Sequence, residues 1–340
     1  MLTENKQGLK EAVDESVHVI PMNSIISIDA PGDADGGLSS SPIQCGKCVM
    51  YDGSSMTVNV RCLSGCDRDE IGMWWNIQTH PNIHRLFGVV DECDFPTIQK
   101  LLSPLNVPMG DDAHSHPHGE SDKRSSIGSV ALCEWKGKSL RMFLEERYGT
   151  DGEGLLFEEI VDLLLDISRG VQHLHARGYV HGNLTSHSIL VEHSSQHDRY
   201  HAVVSDVGLW DRNGFDMTGG GGAGGDGIRW MAPEILSQEE DGGDGDEDGG
   251  MIGKCRSFAS DVWSFGMVMS EMVKGNIPFF SKKSLISVIF ALGSGKGLER
   301  EVGYGFDHPL FHELMEHCVL RDVPSRPFMT NIIHSLEGMR

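Results

Sequence analysis

The chain has 340 residues, with 50 Asp and Glu against 28 Lys and Arg and a formal net charge of −22. Its length suits two ordinary domains. The negative charge argues against nucleic acid or an anionic membrane surface as a partner, because both require a basic face. The N-terminus lacks the basic and then apolar pattern of a secretion signal, and long apolar runs are missing. We therefore expect a cytoplasmic protein with reduced thiols and no membrane insertion.

Residues 25–135 predict a small, sheet-rich lobe. Residues 1–24 are polar and aperiodic, which indicates a flexible N-terminal extension. A polar insertion near 103–128 is typical of an exposed loop. The predicted elements are two strands around an Asp-Gly turn within Val49–Arg61, a helix at Glu70–Thr79, and strands at Leu86–Val90 and Ser129–Cys133.

Residues 136–340 predict a larger, mainly helical lobe. The segment Leu155–His175 has apolar residues at helical spacing, which predicts a helix with one buried face. The Gly-rich segment 209–228 and the acidic insertion 238–254 are poor in apolar residues and predict no regular structure. Further helices are predicted at Asp261–Met272, Ser284–Leu292 and Phe311–Leu320.

Six short motifs follow one another in a characteristic order. They are His80-Pro-Asn-Ile83, His181-Gly-Asn-Leu-Thr-Ser-His-Ser-Ile-Leu190, Asp206-Val-Gly208, Arg229-Trp-Met-Ala-Pro-Glu234, Ser260-Asp-Val-Trp-Ser-Phe-Gly266 and Arg326-Pro327. The second resembles the catalytic loop H-R-D-L-K-x-x-N-I-L of protein kinases, and the third resembles D-F-G. The chain thus resembles the protein kinase family over roughly residues 40–338, and is most similar to the tyrosine-kinase-like serine/threonine group.

The resemblance implies an α+β, bilobal protein-kinase-like fold that uses ATP and Mg²⁺. The implied nucleotide-binding residues are Gly46, Cys48, Asn59, Arg61, Glu134, Lys136, Leu190 and Asp206. Asp206 and, more weakly, Ser188 are the implied metal ligands. The implied structural residues are Glu70, His181, Gly208, Glu234, Asp261 and Arg326. Among these, Glu234 and Arg326 form a buried ion pair in the family.

The catalytic loop has lost the residues that carry the chemistry. Asn183 stands at the position of the catalytic Asp, and its amide cannot accept the proton of a substrate hydroxyl. Thr185 replaces a Lys near the transferred phosphate, and Ser188 replaces a metal-binding Asn. Gly182 replaces the Arg that would bind a phosphorylated activation segment. Asp206 keeps a hard, anionic metal ligand.

The nucleotide pocket is altered as well. The glycine loop is expected at Ser41–Gly46, where Pro42 removes a backbone donor and Ile43 adds bulk. Arg61 replaces the strand Lys and could pair with Glu70, but its planar fork is longer and wider than an ammonium. Asn59 adds an amide where the family has Ala. We therefore expect weak binding of ATP and Mg²⁺.

Three other groups of residues have spacings that a metal site could use, but each pattern has a simpler explanation. Cys45, Cys48, Cys62 and Cys66 have a spacing that zinc could use, but the expected pairing of the strands that carry Cys48 and Cys62 favours core packing. Asp244, Asp246 and Asp248 resemble the start of a calcium loop, whose twelfth position here holds Cys255 and not Glu. The histidines at 114, 116 and 118 favour a solvated loop.

The sequence therefore predicts a pseudokinase that acts as a scaffold or allosteric partner of other signalling proteins, in an oligomeric state that the sequence leaves open. One alternative is a divergent active serine/threonine kinase in which Lys47 supplies the missing ammonium. Another is a non-catalytic nucleotide sensor.

Overall fold

The computed structural model describes residues 25–29, 43–49, 55–63, 68–77, 80–93, 128–134, 136–149, 152–194, 198–207, 226–236, 256–282, 284–293 and 308–340. Within these ranges some residues, Arg61 and Glu70 among them, are described by their backbone alone. The chain divides into two compact units: residues 76–84 and the chain from Lys136 belong mainly to the second, and the rest to the first. The predicted extension, most of the polar insertion, Gly208, residues 209–225 and the acidic insertion lie outside the described residues.

The first unit is an antiparallel sheet with one described helix. Its elements are β1 (Ile25–Asp29), β2 (Ile43–Val49), β3 (Ser55–Leu63), α1 (Arg68–Ile77, which ends in the second unit), β4 (Leu86–Cys93) and β5 (Gly128–Glu134). The strand order is β1-β2-β3-β5-β4. Val58, Leu86 and Val89 are among its buried residues. Except for β1, each element overlaps a predicted one.

The structure corrects the predicted glycine loop. Strand β2 begins at Ile43, so Ile43–Gly46 are strand and not loop. All four pair with β3, and Cys45 and Gly46 also pair with β1, a strand that the sequence analysis missed. The connection between β1 and β2 therefore occupies residues 30–42, which lie outside the described residues.

The second unit is mainly helical. Its elements are β6 (Lys138–Ser139), α2 (Leu140–Arg147), α3 (Phe157–Ala176), β7 (Ile189–Ser194), β8 (Arg199–Val204), a 3-10 helix (Asp226–Trp230), α4 (Pro233–Leu236), α5 (Phe258–Lys274), α6 (Leu285–Gly293), α7 (Pro309–Cys318), a second 3-10 helix (Val323–Ser325) and α8 (Met329–Glu337). Strands β6, β7 and β8 form a separate antiparallel sheet. None of the described helices combines the length and apolarity that a membrane crossing requires.

Helix α5 is the buried centre of the second unit. Ser257 and Ser260 cap its first turn reciprocally. The Ser257 amide donates to the Ser260 hydroxyl at 2.9 Å, and the Ser260 amide donates to the Ser257 hydroxyl at 3.2 Å. The helix ends at Gly275, whose φ of 70° is accessible to glycine at no steric cost. A Cβ at Gly275 would also overlap the Tyr148 ring. The residues from Ser260 to Val273 are all buried, as in a helix surrounded by protein.

Candidate active site

The loop that resembles the kinase catalytic loop is held in place by Asp261 of α5. Its Oδ2 accepts hydrogen bonds from the backbone amide of His181 at 2.8 Å and from His175 Nε2 at 2.9 Å. Its Oδ1 accepts from the amide of Gly182 at 2.8 Å. Because this buried carboxylate receives several donors, it is satisfied without a metal or substrate. Asp261 thus contacts the loop directly, and the structural role that the resemblance implies for it stays a prediction.

His181 links this loop to the residues that follow β8. Its Nε2 donates to the Ser205 carbonyl at 2.9 Å, and its Nδ1 accepts from the Asn183 amide at 3.2 Å. These partners require the neutral tautomer with the hydrogen on Nε2. Burial lowers the pKa of His181, which favours the same neutral form. These contacts agree with the structural role that the resemblance implies for His181, which stays a prediction.

Gly182 adopts a φ of 75°, in the left-handed region. A residue with a side chain is strained there, whereas glycine is not. The glycine at this position therefore removes the guanidinium of the family's Arg and also relieves the backbone. The loop therefore lacks the phosphate-binding group that the resemblance implies at this position.

The replaced side chains build the turn of the loop. The Ser188 hydroxyl donates toward the carbonyls of Asn183 at 3.0 Å and Thr185 at 3.1 Å, and its oxygen accepts from the Thr185 amide at 2.9 Å. Thr185 Oγ1 accepts from the amide of His187 at 3.2 Å. Both hydroxyls are thus used by the backbone around them. The metal-binding role of Ser188 stays a prediction, and these bonds compete with it.

Asn183 faces the 3-10 helix that precedes the Ala-Pro-Glu motif. Its Oδ1 lies 3.9 Å from the position that a Cβ on Gly227 would occupy. A carboxamide at this point can orient a hydroxyl group through hydrogen bonds, but it cannot take up the proton at neutral pH. The Asn183 side chain therefore cannot itself act as the general base that the resemblance implies at this position.

Asp206 lies at the end of the segment after β8 and is buried. It has a φ of 62°, and its Oδ1 accepts a hydrogen bond from the Ser205 hydroxyl at 3.1 Å. A carboxylate fits Mg²⁺, which prefers hard oxygen ligands. No group of three or more His, Cys, Asp or Glu side chains within the described residues could hold a metal alone. Mg²⁺ at Asp206 would therefore take further oxygen ligands, such as those of a nucleotide or water.

The nucleotide-binding residues expected in the first unit lie on adjacent strands. Gly46 of β2 pairs with Val58, and Asn59 of β3 pairs with Cys45 on one side and Cys133 on the other. Asn59 is 2% exposed. The register therefore brings Cys45 opposite Asn59.

The remaining first-unit residues are less completely described. Cys48 pairs with Met56, and Arg61 pairs with Ile43. The predicted ion pair between Arg61 and Glu70 lies outside what is described. Glu134, the last residue of β5, donates its amide to the Arg85 carbonyl at 2.9 Å. The roles of these residues in nucleotide binding stay predictions.

Two further residues that are expected to contact the nucleotide lie in the second unit. Leu190 of β7 is buried and pairs with Ser139 and Val203. Lys136 forms an ion pair with Glu192, with 3.1 Å between Nζ and Oε1. The ammonium group therefore has a protein partner. The nucleotide contact that was expected of Lys136 involves its backbone and not this group. Both contacts stay predictions.

Glu234 and Arg326 form an ion pair in the structure, with the Arg326 side chain buried and that of Glu234 partly exposed. Arg326 Nη1 and Nη2 donate to the two carboxylate oxygens at 2.6 and 2.8 Å, a bidentate geometry. The same guanidinium donates to the carbonyls of Ala259 and Leu320 and lies 5.0 Å from the Trp263 ring centroid. The pair thus joins α4 to the start of α5 and to the segment after α7.

The sequence analysis missed a buried acid on α5. Glu271 accepts hydrogen bonds from Arg141 at 2.9 Å, Ser186 at 2.8 Å and Trp230 at 3.0 Å. Burial raises the pKa of Glu271 to about 7 despite these donors. The sequence signal that could have revealed Glu271 is a carboxylate within an otherwise apolar helical segment. Its partners come from α2, the catalytic loop and the 3-10 helix, which this acid therefore connects.

Comparison with known proteins agrees with this architecture. A sequence model described as protein tyrosine and serine/threonine kinase matches residues 129–336. The chain is 30% identical to the ephrin type-A receptor 6 of Rattus norvegicus over 276 residues, covering 76% of this chain and 24% of the receptor. It is 28% identical to the serine/threonine/tyrosine-protein kinase HT1 of Arabidopsis thaliana over 201 residues, covering 58% of this chain and 44% of that kinase. The chain thus spans about a quarter of the receptor and under half of the plant kinase.

Proposed function

This chain belongs to the protein kinase family, and we propose that within this family it is a pseudokinase. It acts as a scaffold or allosteric partner of other signalling proteins and does not transfer phosphate. The observation that carries the proposal is Asn183, which stands at the place of the general base in an otherwise well-formed catalytic loop. Loss of a general base typically lowers a rate by about 10²–10⁴.

The surrounding contacts support the same conclusion. Thr185 and Ser188 direct their hydroxyl groups into the backbone of the loop, where the family would present a cation and a metal ligand. In contrast, Asp261, His181 and the pair of Glu234 with Arg326 retain the contacts that hold the large lobe together. A fold that keeps its structural residues and loses its chemistry suits protein binding better than catalysis.

ATP and Mg²⁺ would bind weakly in this proposal. Asp206 would hold the cation, which in protein kinases bridges the phosphates and neutralises their charge. The buried Asn59 side chain is larger than the Ala that the family has at this position, so less room is left for the nucleotide. We also propose that the domain acts in the cytoplasm, where ATP is available and thiols such as the buried Cys133 and Cys318 stay reduced.

The decisive experiment measures transfer of labelled γ-phosphate from ATP to generic protein substrates and to the chain itself. We expect no incorporation above background for the purified wild-type protein. Asp206→Ala is the matched control, because incorporation that persists in this variant comes from a contaminating kinase. Incorporation that the wild type shows and Asp206→Ala lacks would overturn the proposal.

A divergent active kinase is the alternative that the retained Asp206 favours. In that case Lys47, which lies on β2 next to Gly46, would supply the ammonium that Arg61 replaces. Turnover that disappears in Lys47→Ala would support this alternative. Strong stabilisation by low concentrations of ATP with Mg²⁺, without turnover, would instead support a nucleotide sensor, because tight binding to the folded state raises its stability more than the weak binding proposed here.

A further inference from the structure

His84 lies directly after the His80–Ile83 motif, and its side chain begins a buried chain of hydrogen bonds. Its Nδ1 lies 2.8 Å from Ser205 Oγ, and that hydroxyl donates to Asp206 Oδ1 at 3.1 Å. The three residues are 1%, 0% and 1% exposed. Because the single hydroxyl proton is directed to the carboxylate, His84 Nδ1 must carry a hydrogen and donate to Ser205 Oγ. The chain therefore runs from the imidazole to the carboxylate.

The backbone on both sides fixes the position of His84. Its amide donates to the Val204 carbonyl at 2.8 Å, and the Val204 amide donates to the Asn82 carbonyl at 2.9 Å. Ile83 also forms a parallel bridge with Val204. The segment Asn82–His84 thus lies alongside the end of β8, one residue before Ser205.

The backbone of Ser205 is held through both its amide and its carbonyl. Its amide donates to the Ser188 carbonyl at 2.8 Å, and its carbonyl accepts from His181 Nε2 at 2.9 Å. Both partners belong to the catalytic loop, so this loop fixes the backbone that carries the Ser205 hydroxyl group. Small movements of this hydroxyl are restricted, and it can transmit the orientation of His84 to Asp206.

Asp206 depends on such support because its backbone is strained. A φ of 62° places it in the left-handed region, which residues other than glycine rarely adopt because it is strained for them. Such a conformation persists only where surrounding contacts hold it. The bond from Ser205 to Oδ1 is one contact that acts directly on the carboxylate.

We propose that His84 is a positioning residue for Asp206 and that, through Ser205, it orients the carboxylate toward a divalent cation bound with a nucleotide. This rests on Asp206 being the cation ligand of the proposed function. Hydrogen bonds to ligating groups typically change metal affinity by about 10–100-fold. Because His84 belongs to the segment beside β8, cation binding and the placement of that segment are coupled, and each affects the other equally.

The test compares thermal stability with ATP and MgCl₂ against ATP and EDTA. The difference is the magnesium-dependent rise in melting temperature, and titration gives the affinity. We expect His84→Leu to weaken magnesium-dependent ATP binding by roughly 10–100-fold. His84→Asn, whose amide can replace the Nδ1 donor, should restore most of it. Ser205→Ala changes little volume and should reproduce the loss, which covers the case that His84→Leu fails to fold.

His201→Leu is the matched control, because this histidine bonds to a different buried acid, Asp166, at 2.7 Å. It should lower the melting temperature without changing the magnesium-dependent rise. The proposal is overturned if the wild type shows no such rise, if Ser205→Ala keeps it in full, or if His84→Asn is no better than His84→Leu. Phosphate transfer by the wild type would overturn the pseudokinase proposal and leave this result standing.

Discussion

Replacing Glu234 by alanine should destabilise the second unit far more than any change at Asn183. The side chain of Arg326 is 0% exposed, whereas that of Glu234 is 25% exposed. Glu234→Ala therefore leaves a guanidinium that water does not reach. Arg326 then keeps the carbonyls of Ala259 and Leu320 as hydrogen-bond acceptors, but it has no counter-charge.

The structure sets the size of the effect. Removing one partner of a buried ion pair typically costs about 3–5 kcal/mol. The two remaining carbonyl acceptors and the partial exposure of Glu234 favour the lower end, about 3 kcal/mol. Arg326→Ala should cost at least as much, because it also removes the donor to the Leu320 carbonyl, at about 1–3 kcal/mol where water cannot replace it. Asn183→Ala removes one half-buried amide and should cost about 1 kcal/mol.

Urea denaturation followed by tryptophan fluorescence measures these differences, and Trp263 reports directly because it stacks on Arg326. A loss of about 3 kcal/mol lowers the midpoint by roughly 1–3 M urea. Glu234→Gln is the matched control: it keeps the shape and one acceptor, so it should fall between wild type and Glu234→Ala. Equal midpoints for Glu234→Ala, Arg326→Ala and Asn183→Ala would refute the reasoning, since the pair would then contribute no more than a loop amide.

Three further outcomes are expected. Gly170→Ala should destabilise the protein by about 1–3 kcal/mol, because its Cβ would lie 2.6 Å from the Asn82 carbonyl oxygen; an unchanged melting temperature would contradict this close approach. The folded-state pKa of Glu271 lies at about 7, above its ordinary value of 4.5. Between these two pH values the folded protein therefore keeps a proton on Glu271 that the unfolded chain has lost. Stability relative to Glu271→Gln should therefore fall by roughly 3 kcal/mol as pH rises from 4.5 through 7, measured by urea denaturation across that range. Deleting residues 238–250 should leave the melting temperature nearly unchanged, because the run has almost no apolar surface to bury; a large decrease would show that it packs or binds an ion.

The sequence alone determined the family, the fold class and the loss of catalytic groups. Ordered motifs identify a family because each requires particular side chains at set positions. Strong helical periodicity placed Leu155–His175 close to the observed helix Phe157–Ala176, since the spacing of apolar residues is itself the signal for a buried face. What Asn183 cannot do also follows from its side chain, whatever surrounds it.

Only the tertiary structure decided which buried polar groups meet. His84 and Ser205 are 121 positions apart, and the partners of Glu271 come from three different elements. No local pattern encodes such pairings, because hydrogen bonds between distant residues depend on how the elements pack. The short strand β1 was missed for a related reason: five residues carry little periodicity, and the strand is recognised by its partner β2. Residue identity thus limits the chemistry at each position, whereas packing decides which of those groups act together.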